Sequence, residues 1–179
     1  MIKKSIARTK AKNLLMNISQ QDRLSRSKYL VSEIRKDERF INAETIGIYY
    51  PMKYEANLLK LTNSNKQFLF PRVNRRKRLD FVLVNKDTKW KKNKFGINEP
   101  INGKIINEGI DLLIIPALAK NRKYRLGYGG GFYDKFLAKH KVGSKIGITL
   151  TNKELDFEIN HWDIALDSFI SYREDLNDS

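Results

Sequence analysis

The sequence predicts an α/β fold, specifically a single-domain three-layer sandwich with a largely parallel central sheet. Apolar or β-branched stretches at 45–50, 112–115 and 144–150 have the composition of strands buried in a parallel sheet. Segments with helical spacing lie between these strands, and parallel strands need such crossovers. No internal repeat, low-complexity segment or second domain is detectable, so we expect one domain over residues 1–179.

The chain is expected to begin with two helices. Apolar residues recur along one face of a 3.6-residue period, which predicts a first helix over residues 3–17. Ser19 and Asp22 resemble a capping box and open a second helix that runs to about Lys36. The residues expected to face inward are Ala7, Ala11, Leu14, Leu15 and Ile18 in the first helix, and Leu24, Val31 and Ile34 in the second.

The remaining elements are predicted from β-branched, aromatic and apolar stretches bounded by turn residues. The strand at 45–50 ends at Pro51, and a loop over 52–55 precedes a short helix at 56–61. The other expectations are strands at 67–71, 79–84, 112–115, 144–150 and 167–172, a helix at 132–140, a long irregular segment around 95–100, and a frayed tail at 174–179.

The composition excludes several kinds of chemistry. The chain has no cysteine, which rules out disulfides, thiolate nucleophiles and Cys-based metal sites, and two histidines are too few for a His-rich metal cluster. The first residues lack an apolar signal region, and no apolar run approaches the roughly 20 residues that span a bilayer. We therefore expect a cytoplasmic protein with no membrane partner.

The net charge of +15 comes from 35 basic and 20 acidic residues. The densest basic clusters are at 72–78 and 89–94, and each is predicted to lie in a loop. Such clusters are typical of solvated loops. They are also compatible with attraction of polyanionic small molecules, such as nucleoside triphosphates and polyglutamyl chains, or with RNA contact.

Residues 125–134 hold four of the ten glycines and lie between a predicted strand and a predicted helix. Glycines allow backbone N–H groups to approach a ligand closely, and a helix N-terminus adds positive potential, so phosphate is the natural ligand. Arg125 would bind phosphate oxygens, and Asp134 is better suited to Mg²⁺. The alternative is a tight glycine turn with both charges on the surface. Neither the Walker pattern nor G-x-G-x-x-G is present.

The sequences Pro116-Ala117-Leu118-Ala119 and Arg125 to Leu137 together resemble the signature of the 5-formyltetrahydrofolate cyclo-ligase family. The resemblance extends to a basic N-terminal motif at 4–8, to Glu55 after the first strand, and to a G-I-x-E-P element at 96–100. Asp163 and Asp167 match a D-x-x-x-D pattern before the last strand. The resemblance implies a Rossmann-like, CoA-transferase-like α/β fold. It also implies ATP- and Mg²⁺-dependent conversion of 5-formyltetrahydrofolate, with or without a polyglutamyl chain, to 5,10-methenyltetrahydrofolate by a monomer.

The resemblance also assigns roles to individual residues. Arg125 and Lys4 would be catalytic, and Asp134 and Asp163 would bind Mg²⁺. The folate would contact Tyr50, Glu55, Tyr128, Gly129, Gly130, Gly131 and Phe132. ATP would contact Lys4, Ser5, Ile6, Ala7, Arg8, Arg125, Leu126, Gly127, Tyr128, Gly129, Gly130, Gly131, Phe132 and Tyr133.

Residues 117–124 depart from the family pattern. Ala117 replaces a glycine, Lys120-Asn121 stand where Phe-Asp is usual, and the connection is one residue shorter, so ATP affinity would be altered here if anywhere. Other interpretations of single residues stay open: Lys4 and Arg8 as solvated charges, Glu55 as a helix-start charge, and Asp163 as a turn cap. Two other functions also remain: a non-catalytic RNA-binding α/β protein, and a related ATP-dependent enzyme acting on another formylated or carboxylated substrate.

Overall fold

The computed structural model describes residues 1–174 of the chain. Its helices are α1 Lys4–Met16, α2 Gln20–Lys36, α3 Glu38–Asn42 and α4 Phe132–Lys139, with a 3-10 turn at Leu59–Thr62. Its strands are β1 Thr45–Gly47, β2 Gln67–Val73, β3 Leu79–Leu83, β4 Trp90–Lys92, β5 Asn98–Pro100, β6 Leu112–Pro116, β7 Ala119–Asn121, β8 Tyr124–Leu126, β9 Ser144–Thr149 and β10 Ser168–Ser171.

Six strands form the central sheet, in the order β10-β9-β6-β1-β2-β3. Every neighbouring pair is parallel except β2 and β3, which are antiparallel. β6 is buried at all five positions because it has neighbours on both edges and helices on both faces. The prediction of an α/β sandwich with a largely parallel sheet is confirmed.

The two faces of the sheet are covered by different helices. On one face, Leu112 and Ile114 of β6 share a core with the apolar faces of α1 and α2. On the other face, Leu113 and Ile115 pack in a second core with Phe136 of α4. Fully burying each of these side chains contributes roughly 1.5–3 kcal/mol, so β6 is central to the stability of all three layers.

Several predicted elements need correction. Leu24 is 54% exposed, whereas Leu30 is buried instead, because α2 is rotated so that Ser27 and Leu30 face the core. The predicted helix at 56–61 is a single 3-10 turn at 59–62. The ladder of β1 ends at Gly47, and after a last hydrogen bond from Ile48 the chain leaves the sheet.

Three structural features were not predicted. The short helix α3 follows α2, β4 pairs with β5 inside the segment expected to be irregular, and β7 pairs with β8. Both basic clusters were predicted to be loops, which is wrong for Arg72 in β2 and for the lysines of β4. Of the tail predicted to fray, Glu174 contacts Arg26, and residues 175–179 lie outside the described part of the chain.

The parallel strands end at a common edge of the sheet, and the segments that leave this edge build a cavity. The loop after β1 carries residues 48–55, and the β7–β8 hairpin after β6 leads into the glycines. Ligands of open α/β sheets bind outside the carboxyl ends of the strands. Within residues 1–174, no helix is both long and apolar enough to cross a membrane.

Candidate active site

A cavity of about 730 Å³ lies at this edge of the sheet and brings together residues from both ends of the described chain. The glycine segment 127–131 forms one wall. Gly129 and Gly131 have φ values of +109° and +64°, which side-chain-bearing residues rarely adopt. Gly131 is also the N-cap of α4, and the first residues of this helix, whose backbone N–H groups have no partner within the helix, line the cavity.

Arg125 is the buried cation of this wall. Its side chain is 9% exposed, and its Nη1 donates a hydrogen bond to the carbonyl oxygen of Pro116 at 3.1 Å. The guanidinium lies 4.9 Å from the ring centre of Tyr133, and Nη2 is 3.9 Å from Oδ2 of Asp134. Burial lowers the pKa of Arg125, although a guanidinium remains charged in proteins. The interpretation of Arg125 as a surface charge is wrong.

The guanidinium also packs closely against the backbone of Gly127. A Cβ atom at Gly127 would lie 2.7 Å from Nη1 of Arg125, which is closer than real Cβ contacts. The segment therefore combines the turn conformation of the later glycines with close packing against the arginine. Both properties place peptide groups and a cation on one small surface, which suits a phosphate.

Helix α1 supplies two further cations. Nζ of Lys4 forms an ion pair with Asp163, and the Lys4 side chain is 13% exposed. Nε of Arg8 donates to the carbonyl oxygen of Gly127 at 2.9 Å, and its guanidinium packs over Gly129. Neither residue is a freely solvated charge, so that interpretation is wrong.

Two residues of the basic N-terminal motif do not line the cavity. Ser5 lies on its rim with Lys4 and Arg8, since these positions share one face of the helix. Ala7 is fully buried against the sheet, and Ile6 is 48% exposed outside the cavity. The helical period turns both side chains away from the cavity, and the predicted contact of these two residues with ATP stays a prediction.

Asp134 and Asp163 lie in the cavity wall on adjoining elements. Oδ1 of Asp134 accepts a hydrogen bond from the backbone N–H of Ile164 at 3.0 Å, which joins the first turn of α4 to the segment that carries Asp163. Oδ2 of Asp163 accepts from the N–H of Asn160 at 2.6 Å, so Asp163 does cap a turn. Within the described residues, no group of three or more His, Cys, Asp or Glu side chains could hold a metal alone.

This donor set fits Mg²⁺ in one particular way. Mg²⁺ prefers oxygen ligands and usually binds through one or two carboxylates, together with substrate phosphates and waters. Two neighbouring carboxylates beside a cationic, glycine-rich anion site provide that partial set. The remaining ligands would come from the phosphates, which fits a metal that arrives with a nucleotide.

Glu55 is a buried carboxyl in the loop after β1. It is 6% exposed, and its Oε2 accepts a hydrogen bond from the backbone N–H of Met52 at 2.8 Å. Burial raises the pKa of Glu55 to about 7, against the opposing effects of the Met52 N–H and the charge of Arg125. No helix begins at Ala56, so Glu55 is not a helix-start charge. Instead it is a carboxyl that exchanges protons near neutral pH.

Aromatic side chains surround this carboxyl. Tyr49, Tyr50, Tyr128, Phe132 and Tyr133 all line the cavity. Burial raises the pKa of Tyr128 and Tyr133, so both hydroxyls stay protonated and available as donors at neutral pH. Apolar rings with a few polar groups are typical of a site that binds a flat heterocycle.

The β4–β5 hairpin contributes to the wall of the cavity, which was not predicted. Trp90 packs against Phe70 and Tyr50, with ring centres 5.2 Å and 5.6 Å apart. This contact fixes the base of the hairpin, whereas Phe95 at its tip is 59% exposed and lines the cavity. The G-I-x-E-P element is visible in the sequence, but β4 is too short and too charged to be detected as a strand, and its three residues show no alternation.

The segment that departs from the family pattern forms the β7–β8 hairpin. The N–H of Ala117 donates to the carbonyl oxygen of Ile148, at 3.0 Å, and Asn121 is buried with its Nδ2 donating to the carbonyl oxygen of Phe157, at 2.8 Å. The hairpin returns the chain to the edge of the sheet, and Arg125 lies in its second strand, directly before the glycine segment. The shortened connection therefore still places the arginine in the cavity wall.

The fold and the cavity define an α/β enzyme with an anion site beside an aromatic pocket. The model of the 5-formyltetrahydrofolate cyclo-ligase family matches residues 1–170. The chain belongs to this family. Its reaction is therefore conversion of 5-formyltetrahydrofolate to 5,10-methenyltetrahydrofolate, and the interpretation as a non-catalytic RNA-binding protein is wrong.

Individual relatives agree with this membership. The chain is 33% identical to 5-formyltetrahydrofolate cyclo-ligase of Haemophilus influenzae over 138 residues, covering 69% of this chain and 73% of the relative. It is 28% identical to the Mycoplasma pneumoniae enzyme of the same name over 135 residues, covering 72% and 73%. The solved structure of Aquifex aeolicus 5,10-methenyltetrahydrofolate synthetase superposes with a TM-score of 0.83, at 27% identity, over 94% of this chain and 89% of that one.

Proposed function

We propose that this enzyme uses ATP and Mg²⁺ to close the ring of 5-formyltetrahydrofolate, acting as a cytoplasmic monomer. The observation that carries the proposal is the convergence of Lys4, Arg8 and Arg125 on the glycine segment within one cavity. Three cations and a turn rich in N–H groups far exceed what a folate ring requires. They match the charge of a triphosphate.

The cavity divides between the two substrates. The triphosphate would lie between α1 and residues 127–131, with Lys4 and Arg125 nearest the reacting phosphate. The folate would lie toward Glu55, between the rings of Tyr50 and Phe132, with Phe95 at the entrance. Gly129 and Gly130 lie where the two halves meet, and their lack of side chains allows both ligands to approach the same backbone.

The proposed reaction has two bond-forming steps. The formyl oxygen attacks the γ-phosphorus of ATP, and the bond to the β–γ bridging oxygen breaks to release ADP. N10 then attacks the activated formyl carbon, loses its proton, and the carbon–oxygen bond breaks to release phosphate. Such phosphoryl transfer needs positioning and charge neutralisation rather than a protein nucleophile, which agrees with a site that has no cysteine.

Each group in the site then has a defined task. Arg125 and Lys4 neutralise charge that develops on the transferred phosphoryl oxygens, and burial of Arg125 makes its field stronger than in water. Asp134 and Asp163 would hold Mg²⁺, which when bound supplies positive charge to the phosphates. In this structure Asp163 instead pairs with Lys4. Arrival of the nucleotide and metal would give both groups new partners.

The proposal is tested by following the near-ultraviolet absorbance of the methenyl product. Folded protein with 5-formyltetrahydrofolate, Mg²⁺ and ATP is expected to produce this absorbance, and omission of ATP or chelation of Mg²⁺ is expected to abolish it. The physical reason is that N10 cannot displace an unactivated oxygen. An equal rate without ATP would overturn the proposal.

Asp134→Asn tests the metal assignment. The variant keeps an oxygen that accepts the Ile164 N–H but loses the charge, so we expect the Mg²⁺ concentration for half-maximal turnover to rise about tenfold or more. The matched control is Asp167→Asn. Asp167 also accepts a backbone N–H, that of Lys145 at 2.8 Å, and lies 3.6 Å from a cation. Full activity of Asp134→Asn at limiting Mg²⁺ would contradict the assignment.

A further inference from the structure

Arg23, in the first turns of α2, connects three separate segments of the chain. Its Nη2 donates to the carbonyl oxygens of Leu15 and Ile18, at 3.1 Å and 3.3 Å, where α1 ends. Its Nη1 donates to the carbonyl oxygen of Lys53 in the loop after β1. The guanidinium also lies 5.9 Å from the ring centre of Tyr54. One side chain thus joins the end of α1 to the loop 51–55.

The loop 51–55 needs such support because it has no regular structure of its own. Its internal hydrogen bonds run between Met52 and Glu55, through the N–H of each residue. These bonds fix the shape of the turn, but they do not fix where the turn lies relative to the cavity. The contacts of Arg23 with Lys53 and Tyr54 hold the turn on the side before Glu55. On the side after it, the Tyr49 hydroxyl donates to the carbonyl oxygen of Ala56 at 2.9 Å.

We propose that Arg23 is a positioning residue that holds Glu55 in place for the folate substrate. It does not line the cavity, and it acts through the main chain of Lys53. The inference rests on the proposed function, because it assigns Glu55 to the folate side of the cavity. The same contacts tie this loop to α1, which carries Lys4 and Arg8 on the ATP side.

The geometry requires an arginine rather than any cation. A planar fork reaches acceptors in different directions from one fixed position, whereas a lysine presents a single flexible ammonium. Nε of Arg23 is buried and has no hydrogen-bond partner among the described residues. An unsatisfied buried donor costs about 1–3 kcal/mol, so this side chain is poorly optimised for stability alone. Its placement is explained by the three carbonyls that it joins.

The first test compares Arg23→Gln with Arg35→Gln. Arg35 is a suitable control because it lies on the same helix and also donates to the carbonyl oxygen of a loop residue, Lys60, at 2.8 Å, away from the cavity. We expect Arg23→Gln to raise KM for 5-formyltetrahydrofolate about tenfold, with KM for ATP within about twofold. Arg23→Lys is expected to recover only part of the loss. The control is expected to match the unmodified enzyme.

The second test does not depend on turnover. Trypsin cleavage after Lys53 requires the loop to leave its place, so initial cleavage there is expected to be about tenfold faster in Arg23→Gln than in Arg35→Gln. Unchanged cleavage, or KM values for both substrates rising in parallel, would overturn the inference. An unmodified enzyme without ATP-dependent turnover would instead overturn the proposed function, and the cleavage rates would still decide the role of Arg23.

Discussion

The charges inside the cavity and the basic clusters on the surface differ in how firmly each charge is held. Arg125 is 9% exposed and is fixed by Pro116 and Tyr133. By contrast, residues 75–78 are exposed on the β2–β3 turn, and the lysines at 91, 92 and 94 are exposed on the β4–β5 hairpin. The surface clusters contain more charge, but only the cavity charges are held in fixed positions and orientations by their neighbours.

This difference shows that net charge is a poor guide to where the chemistry occurs. A charge in water is screened within about 10 Å at moderate salt, whereas a buried charge acts through a medium of low effective dielectric. The +15 balance indicates the two surface clusters, but the proposed ATP site contains three other cations, Lys4, Arg8 and Arg125, and of these only Arg125 lies in a motif that indicates phosphate binding. Fixed position, and not number, gives them their effect.

Arg125→Gln is expected to show the largest effect. Removing a fixed, buried cation from the proposed phosphoryl-transfer site should lower kcat/KM for ATP about a thousandfold, as for loss of other preorganised transition-state contacts. Arg125→Lys keeps the charge without the planar fork and should recover part of the activity. The measurement is steady-state kinetics at saturating 5-formyltetrahydrofolate.

The control for this prediction comes from the surface. Arg76→Gln removes the same charge from the exposed β2–β3 turn and is expected to change kcat/KM less than about twofold. Urea unfolding of each variant separates lost activity from lost stability. Similar losses of activity in both variants would show that overall charge, rather than the held arginine, attracts the nucleotide.

Glu55→Gln is expected to have a smaller effect than Arg125→Gln. It should appear in how the free energy of unfolding depends on pH. The carboxyl has a pKa of about 7 in the folded protein and about 4.3 when unfolded, so the folded state binds its proton more tightly. Its contribution to stability is complete below about pH 4 and is lost as the pH rises through 7. Glutamine does not ionise, so this loss disappears in the variant.

The measurement is the free energy of unfolding of both proteins in urea from pH 4 to pH 8. The value for Glu55→Gln, relative to the unmodified enzyme, is expected to increase by about 3 kcal/mol over this range. Two curves that stay parallel would mean that Glu55 titrates normally and is not a buried, proton-exchanging group. Glu55 would then behave like the exposed charges of the surface clusters and not like the buried charges of the cavity.

Much of the fold was predictable because its central strands are apolar at successive positions. β6 and β9 were located to within a residue or two, and the glycine segment was placed correctly between a strand and α4. The β4–β5 hairpin was missed since Trp90, Lys91 and Lys92 are all exposed, so no alternation marks them as a strand. Its contact with Tyr50 and Phe70 is tertiary and leaves no local pattern.

The site was less predictable than the fold. The residues alone left two interpretations of Arg125 and Asp134: a phosphate and Mg²⁺ site, or surface charges beside a glycine turn. Lys4, Glu55 and Asp163 were assigned only through the family resemblance. Spacing along the chain contains no sign that Lys4 meets Asp163. Ala7 was itself expected on the inward face of the first helix, together with Ala11, so its assignment to ATP by resemblance conflicted with the helical period.

The ion pair between Lys4 and Asp163 joins residues 159 positions apart. Nearby, the N–H of Ile2 donates to the carbonyl oxygen of Asp156, and the N–H of Glu158 to that of Ile2. Contacts between such distant residues are slow to form, since most of the intervening chain must be ordered first. A polypeptide still emerging from the ribosome would contain Lys4 without its partner Asp163. Appearance of catalytic activity would therefore report that the whole sheet has assembled, which makes this enzyme a direct probe of its own late folding steps.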